Sequence, residues 1–149
     1  MKEYQSTAKG KRFFFTKTTQ HLEPLFSEAK HVIYLRQAFH QTIREMPFTL
    51  TAISILPDHL HCIWELPAHD SKSPWERWQR ITDLFSTQRS DNSPLWQDSG
   101  WYHEICDELD YQNHLDYIQL NPIKQGYVDT AKSWPYSTFE DRIYSQALS

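Results

Sequence analysis

The order of hydrophobic and polar residues along the chain changes between the alternation typical of strands and the spacing typical of helices. Residues 11–19 are aromatic and β-branched and predict a first strand. Residues 25–46 place apolar side chains three and four positions apart and predict a long amphipathic helix. Residues 48–56 and 59–66 then predict two strands, which a two-residue connection joins as a hairpin.

The second half of the chain adds three more elements. Residues 74–88 predict a second amphipathic helix, residues 101–106 a fourth strand, and residues 107–121 a third helix. We expect the third helix to end before Pro122, because the residue that precedes a proline avoids the α region. This order of elements predicts an α+β, ferredoxin-like split βαβ fold. Its four-stranded antiparallel sheet would carry two helices on one face and the third helix on the other.

Composition narrows the class of protein only slightly. From 149 residues and 17.9 kDa, we expect residues 1–149 to form a single domain with a substantial core. The sequence has no run of about 18 apolar residues and no signal-peptide pattern, so we expect a cytoplasmic protein that does not enter a membrane. Cys62 and Cys106 lack the spacing of a zinc finger, and we expect both to be small core residues.

Charge is distributed unevenly along the chain. The formal net charge is −4, yet residues 1–44 hold eight Lys and Arg residues against three acidic residues. A basic N-terminal region on an acidic body can direct a phosphate backbone towards one face of a protein. The same distribution also fits an ordinary solvated surface, so charge alone does not decide between the two interpretations.

Two histidines interrupt the apolar pattern of the third predicted strand. Side chains alternate along a strand, so His59 and His61 share one face while Leu60, Cys62 and Trp64 share the other. Same-face neighbours on a strand are roughly 6–7 Å apart. Two imidazoles at that separation can bind one divalent transition-metal ion, and a third protein ligand would then come from elsewhere in the chain. The pair also fits two histidines that are hydrogen-bonded at a sheet surface.

The third predicted helix carries a polar face. Tyr117 and Asn121 lie four residues apart, and His114 lies three residues before Tyr117, so the three side chains share one side of the helix. A tyrosine hydroxyl becomes a useful nucleophile where a metal activates the phosphate that it attacks, and an asparagine offers a neutral oxygen ligand. The alternative is an interfacial tyrosine followed by an asparagine at the helix end.

Together these segments resemble the REP-associated tyrosine transposases, which are single-tyrosine members of the HUH endonuclease class. The resemblance covers nearly the whole chain, and the order and spacing of its segments make it specific. The matching segments are "RFFFTKTT" after Gly10, "ILPDHLHCIWELP" at 55–67, "HLDYIQLNPIKQGYV" at 114–128 and "SWPYSTF" at 133–139.

The resemblance implies chemistry on single-stranded DNA. Tyr117 would attack a phosphodiester, form a 5′-phosphotyrosine and release a 3′-hydroxyl. His59 and His61 would hold Mg²⁺ or Mn²⁺, and the third metal ligand of the family maps onto Asn121, one helical turn beyond the tyrosine.

The resemblance also implies a substrate. The family acts on REP-type palindromic hairpins with a short 5′ recognition tetranucleotide, and we expect this chain to act as a monomer. The basic N-terminal region and one lysine beyond the tyrosine are the expected DNA contacts. These residues are Lys9, Lys11, Arg12, Lys17 and Lys124. An ordinary surface lysine is the other interpretation of Lys124.

Two other functions fit parts of the sequence. A non-catalytic protein that binds DNA hairpins would keep the fold and lose the cleavage. A two-histidine phosphodiesterase acting on RNA would use the imidazoles as acid and base. Such an enzyme needs a second histidine motif, and the nearest candidate, His103, lacks a partner two residues away.

Overall fold

The computed structural model describes residues 10–68, 73–97 and 101–124, with side chains as far as residue 120. The strands are β1 (Arg12–Thr18), β2 (Thr49–Leu56), β3 (His59–Glu65) and β4 (Trp101–Glu104). The helices are α1 (Ala29–Glu45), α2 (Pro74–Arg89) and α3 (Glu108–Lys124). Across these ranges, no helix combines the length and the apolar character that a membrane span requires.

The four strands form one sheet in the order β2-β3-β1-β4, and every neighbouring pair is antiparallel. The central strands β3 and β1 are in register such that Thr16 lies opposite His61. On the outer side of β3, Ser54 also lies opposite His61. The predicted α+β fold, a split βαβ sheet with two helices on one face and the third on the other, is confirmed.

The main core lies between one face of the sheet and the helices α1 and α2. From β3 it receives Leu60, Cys62 and Trp64, the face that strand alternation predicted to be apolar. The Trp64 ring stacks at 4.7 Å on Trp78 of α2 and lies 4.2 Å from Phe48, so large aromatic rings fill much of this layer.

A second, smaller core lies between the opposite face of the sheet and α3. Among the described residues it contains five that are buried, with Tyr111 and Leu115 packed against them. The five are Phe14, Ala52, Ile63, Ile105 and Ile118. This cluster holds the helix that carries Tyr117 against the sheet.

The first helix begins later than the sequence predicted. Residues Leu25–Ser27 form a separate 3₁₀ turn, and α1 starts at Ala29 rather than at residue 25. The backbone N–H of Phe26 donates to the carbonyl of Pro57, 3.0 Å away, in the hairpin between β2 and β3. This contact fixes the turn against the hairpin. Glu28, which follows the turn, has an extended backbone (φ −98°, ψ 128°), so the turn does not merge with α1.

Two further expectations were wrong. The helix α3 does not end before Pro122 but continues to Lys124. A proline near a helix end removes one backbone hydrogen bond, and here the helix continues through that position. Cys62 is fully buried as expected, whereas Cys106 is exposed because β4 ends at Glu104 and the chain turns towards α3.

Candidate active site

The two histidines of β3 lie side by side on the face of the sheet that α3 covers. His59 is the first residue of the strand, immediately after the hairpin turn, and His61 follows one pleat later. Their ring centroids are 5.1 Å apart, with the planes at 78° to each other. The intervening Leu60 points into the main core, and this alternation places both imidazoles on the α3 side.

His61 is the more deeply buried of the pair, with 4% of its surface exposed. Its Nδ1 lies 2.8 Å from the hydroxyl oxygen of Thr16 on β1, and the Phe14 ring stacks at 5.7 Å. Burial, and secondarily the charge of His59, lowers the pKa of His61 to about 3. Its Nε2 is buried and has no hydrogen-bond partner among the described residues. His61 is therefore a neutral imidazole that offers a lone pair at physiological pH.

His59 is oriented by a carboxylate. Its Nδ1 lies 2.7 Å from Oδ1 of Asp58, the preceding residue in the hairpin turn. A histidine that donates one ring N–H to a carboxylate keeps the other nitrogen as an acceptor, which is the usual arrangement of metal-binding histidines. The chain thus presents two imidazoles, each held at Nδ1, with Nε2 available for a ligand.

Tyr117 lies against this pair. Its ring centroid is 5.0 Å from that of His61, at 80°, and 6.0 Å from that of Phe14. The next residue along α3, Ile118, is buried in the small core and fixes the rotation of the helix. With 39% of its surface exposed, Tyr117 combines contact with His61 and access from solvent.

A cavity of about 390 Å³ opens beside Tyr117. It is lined mainly by aromatic rings and is bounded by β1, β4 and α3. The lining residues are Phe14, Thr16, Trp101, Asn113, His114 and Tyr117. Such a cavity offers apolar faces for stacking a planar group next to the tyrosine hydroxyl.

The sequence-predicted site residues fall into three groups: those that meet, those outside the described part of the chain, and basic residues that lie apart from Tyr117. The structure brings His59, His61 and Tyr117 together. Asn121 lies one helical turn beyond Tyr117 in α3, and its side chain lies outside the described part of the chain. The side chain of Lys124 and all of Lys9 also lie outside it.

The other basic residues are dispersed rather than gathered around Tyr117. Arg12 is buried, with its guanidinium 4.3 Å over the Tyr111 ring and 3.5 Å from a Glu108 oxygen. Lys17 lies on the opposite face of the sheet, 5.0 Å above the Trp78 ring, and burial lowers the pKa of its ammonium group. Lys11 is exposed.

Sequence reasoning missed the groups that orient the histidines. Thr16 lies 45 residues from His61 in the chain and meets it only through strand pairing. Asp58 directly precedes His59, and this adjacent carboxylate was a signal that could have been used. A further cluster of His103, Asp110 and His114 lies between β4 and α3.

A four-stranded antiparallel sheet with paired histidines facing a helix-borne tyrosine is the arrangement expected of a single-tyrosine transposase of the HUH class. A REP-associated tyrosine transposase of Escherichia coli K12 is 36% identical over 140 residues, covering 93% of this chain and 83% of the relative. A Haemophilus influenzae protein described as a putative REP-associated tyrosine transposase is 37% identical over 155 residues, covering 93% of this chain and 85% of the relative. No family model matches the chain.

Among solved structures, a REP-associated tyrosine transposase bound to a REP hairpin superposes with a TM-score of 0.81 at 35% identity. The superposition covers 100% of this chain and 88% of that one. The chain belongs to the REP-associated tyrosine transposases and is an enzyme that cleaves and joins DNA.

Proposed function

We propose that this chain is a metal-dependent, site-specific endonuclease and strand transferase for single-stranded DNA. Its substrate would be a REP-type hairpin with a 5′ recognition tetranucleotide, and its nucleophile would be Tyr117. One observation carries this proposal: the Tyr117 ring contacts His61, a neutral imidazole whose buried Nε2 has no partner among the described residues.

The donor set fits a divalent ion. We assign the metal ligands to His59 and His61 through Nε2, with Asn121 as the third. The orphaned Nε2 of His61 supports this assignment, as does the carboxylate of Asp58 on the far nitrogen of His59. Mn²⁺ accepts both imidazole and oxygen ligands, and Mg²⁺ is the alternative ion. When bound, the ion would act as a Lewis acid on a phosphodiester oxygen.

The role of the tyrosine follows from the balance of bonds. The Tyr117 oxygen attacks phosphorus, and the bond from phosphorus to the 3′-oxygen breaks. The tyrosine hydroxyl loses its proton, and the released 3′-oxygen gains one to become a 3′-hydroxyl. The 5′-phosphotyrosine conserves the phosphodiester bond energy, so a second 3′-hydroxyl can reverse the step and join strands. Thr16 and Asp58 hold the two imidazoles in fixed orientations throughout.

The DNA contacts are proposed at two places. The aromatic cavity beside Tyr117 would receive a base that flanks the scissile phosphate. Of the five basic residues expected from the sequence, the exposed Lys11 is the best placed to contact the hairpin backbone, and Lys9 and Lys124 are proposed as further contacts. Arg12 is buried against Tyr111 and Lys17 lies on the other face of the sheet, so neither could contact the same DNA segment without moving. A structure of a family member in complex with a REP hairpin supports this substrate, and we propose that the chain binds it as a monomer.

The test is cleavage of a labelled single-stranded REP hairpin oligonucleotide that carries its 5′ tetranucleotide, in the presence of Mn²⁺. Wild type should cleave and leave a covalent protein–DNA adduct on a denaturing gel, and Tyr117→Phe should do neither. Tyr111→Phe is the matched control, because it removes a hydroxyl from the same helix and should still cleave.

Two results would contradict the proposal. Cleavage by Tyr117→Phe, or cleavage without an adduct, would exclude the tyrosine as nucleophile. Hairpin binding that is insensitive to a chelator, with no cleavage under any divalent ion, would indicate a non-catalytic binding protein instead.

A further inference from the structure

A second group of potential metal ligands lies where β4 meets α3. His103 comes from β4, and Asp110 and His114 lie one turn apart on α3. The Nε2 of His103 is 2.8 Å from Oδ2 of Asp110, and the Nδ1 of His114 is 3.1 Å from Oδ1. The two imidazole rings stack at 4.9 Å, with an angle of 18° between their planes. The carboxylate of Asp110 thus lies within about 3 Å of a ring nitrogen of each histidine.

The spacing of these atoms suits a transition-metal ion. All three ligand atoms lie within 4.8 Å of one another. Ligand atoms at tetrahedral positions, about 2.1 Å from an ion, lie roughly 3.4 Å apart, so a small adjustment of side chains would suffice. The side chains are between 19% and 33% exposed, which leaves an entry path and a fourth position for solvent. Two imidazoles and one carboxylate are ligands that Zn²⁺ accepts.

This group is distinct from the histidine pair of β3. The Phe14 ring lies between them, 5.7 Å from the His61 ring and 4.7 Å from the His114 ring. The two groups also share no residue and use different strands. An ion in one group would therefore leave the ligands of the other in place.

We propose that His103, Asp110 and His114 form a second metal site, which takes a divalent transition ion such as Zn²⁺. The ion would replace two present hydrogen bonds: that of His103 Nε2 with the Asp110 carboxylate, and that of His114 Nδ1 with the backbone carbonyl of Asp110, 2.8 Å away. Because its ligands come from β4 and α3, it would fasten the tyrosine-bearing helix to the edge strand of the sheet. This inference goes beyond the proposed cleavage reaction and does not depend on it.

The experiment is a titration of the chelator-treated protein with Zn²⁺ by calorimetry, and with Co²⁺ by visible absorption. The starting protein is His59→Ala/His61→Ala, which lacks the histidine pair proposed for the nuclease metal. It should bind one Zn²⁺ and one Co²⁺, and its Tm should rise with Zn²⁺. Adding His103→Ala should abolish the binding and the rise in Tm while the metal-free circular dichroism stays unchanged.

A matched control uses the neighbouring thiol. Cys106 is exposed, its backbone N–H donates to Asp110 and its thiol lies beside the same carboxylate, but it is not one of the three proposed ligands, and serine keeps a donor at this position. Cys106→Ser should therefore retain one Zn²⁺ in the same background. If the starting protein does not fold, wild type and His103→Ala are compared, and the number of Zn²⁺ ions bound should fall by one.

Three outcomes would overturn the proposal. The first is an absence of Zn²⁺ binding in the folded starting protein, which would show that the three side chains only form hydrogen bonds between β4 and α3. The second is Zn²⁺ binding that persists unchanged after His103→Ala. The third is loss of binding in Cys106→Ser with retention in His103→Ala, which would assign the ion to a different set of ligands.

Discussion

The two faces of the sheet are made by the same four strands, yet they differ in size and in chemistry. The face under α1 and α2 is filled by a large aromatic and aliphatic cluster that includes Trp64 and Trp78. In the part of the chain that the structure describes, the face under α3 has five buried apolar residues and, beside them, the imidazoles of His59 and His61 and the ring of Tyr117. Buried apolar side chains are concentrated on the first face, and the second holds a helix with modest apolar contact next to reactive groups. This difference leads us to expect that α3 opens more readily than α1.

The largest effect should come from the first face. Trp64→Ala removes a fully buried ring from the centre of the main core and should lower the free energy of unfolding by about 3–5 kcal/mol. Urea denaturation followed by circular dichroism measures the loss. A decrease below about 1 kcal/mol would mean that the main core does not dominate stability.

A smaller effect is expected on the second face. Ile118→Ala removes a buried side chain from the cluster under α3 and should cost about 2 kcal/mol, at the low end for such a change. The amide hydrogens of α3 should then exchange faster while those of α1 keep their protection. Equal acceleration in both helices would show that the two faces unfold as one unit.

Acid should weaken the second face. Burial and the charge of His59 lower the pKa of His61 to about 3 from 6.5, so at intermediate pH the unfolded chain binds a proton that the folded chain does not. Stability contributed by neutral His61 is therefore complete above about pH 6.5 and is lost as pH falls, by up to about 1.4 kcal/mol per pH unit. Urea denaturation with chelator between about pH 7 and pH 5 measures this slope. His61→Gln should flatten it, and an unchanged slope would assign the effect to other groups.

The smallest change in stability should come from the hydroxyl that holds His61. Thr16→Val removes the partner of Nδ1 and should cost about 1 kcal/mol. Affinity of the histidine pair for Mn²⁺ should fall further, by roughly 10–100-fold, because the ring loses its orienting contact. Thr49→Val, at an exposed strand position, is the control and should change neither quantity. Unaltered Mn²⁺ affinity in Thr16→Val would remove Thr16 from the site.

The periodicity of apolar and polar residues was enough to predict the faces of the histidine-bearing strand and the positions of the long helices. Strand alternation placed His59 and His61 on one face and Leu60 on the other, and helical spacing identified the long helices. The late start of α1 was not predictable in this way, because the contact of Phe26 with Pro57 joins segments that are far apart in sequence. Pairing of Thr16 with His61 likewise requires the strand order and register, which alternation does not supply.

The same reasoning explains what was missed around α3. His103 was considered only as half of a second histidine motif on its own strand, where it lacks a partner. Its partner is the carboxylate of Asp110, seven residues later, which reaches it because the chain turns sharply between β4 and α3. Arg12 was grouped with the basic residues by charge, and its stacking on Tyr111 depends on how that helix packs.

The continuation of α3 through Pro122 has a mechanical consequence. A helix that reaches Lys124 holds the backbone of residues 117 and 121 in one rigid rod, about 6 Å apart along its axis and about 40° apart around it. Neither residue can approach or leave the sheet without carrying the other. If both act as proposed, one movement of α3 brings the nucleophile and the third ion ligand to the sheet together. The reverse movement withdraws both.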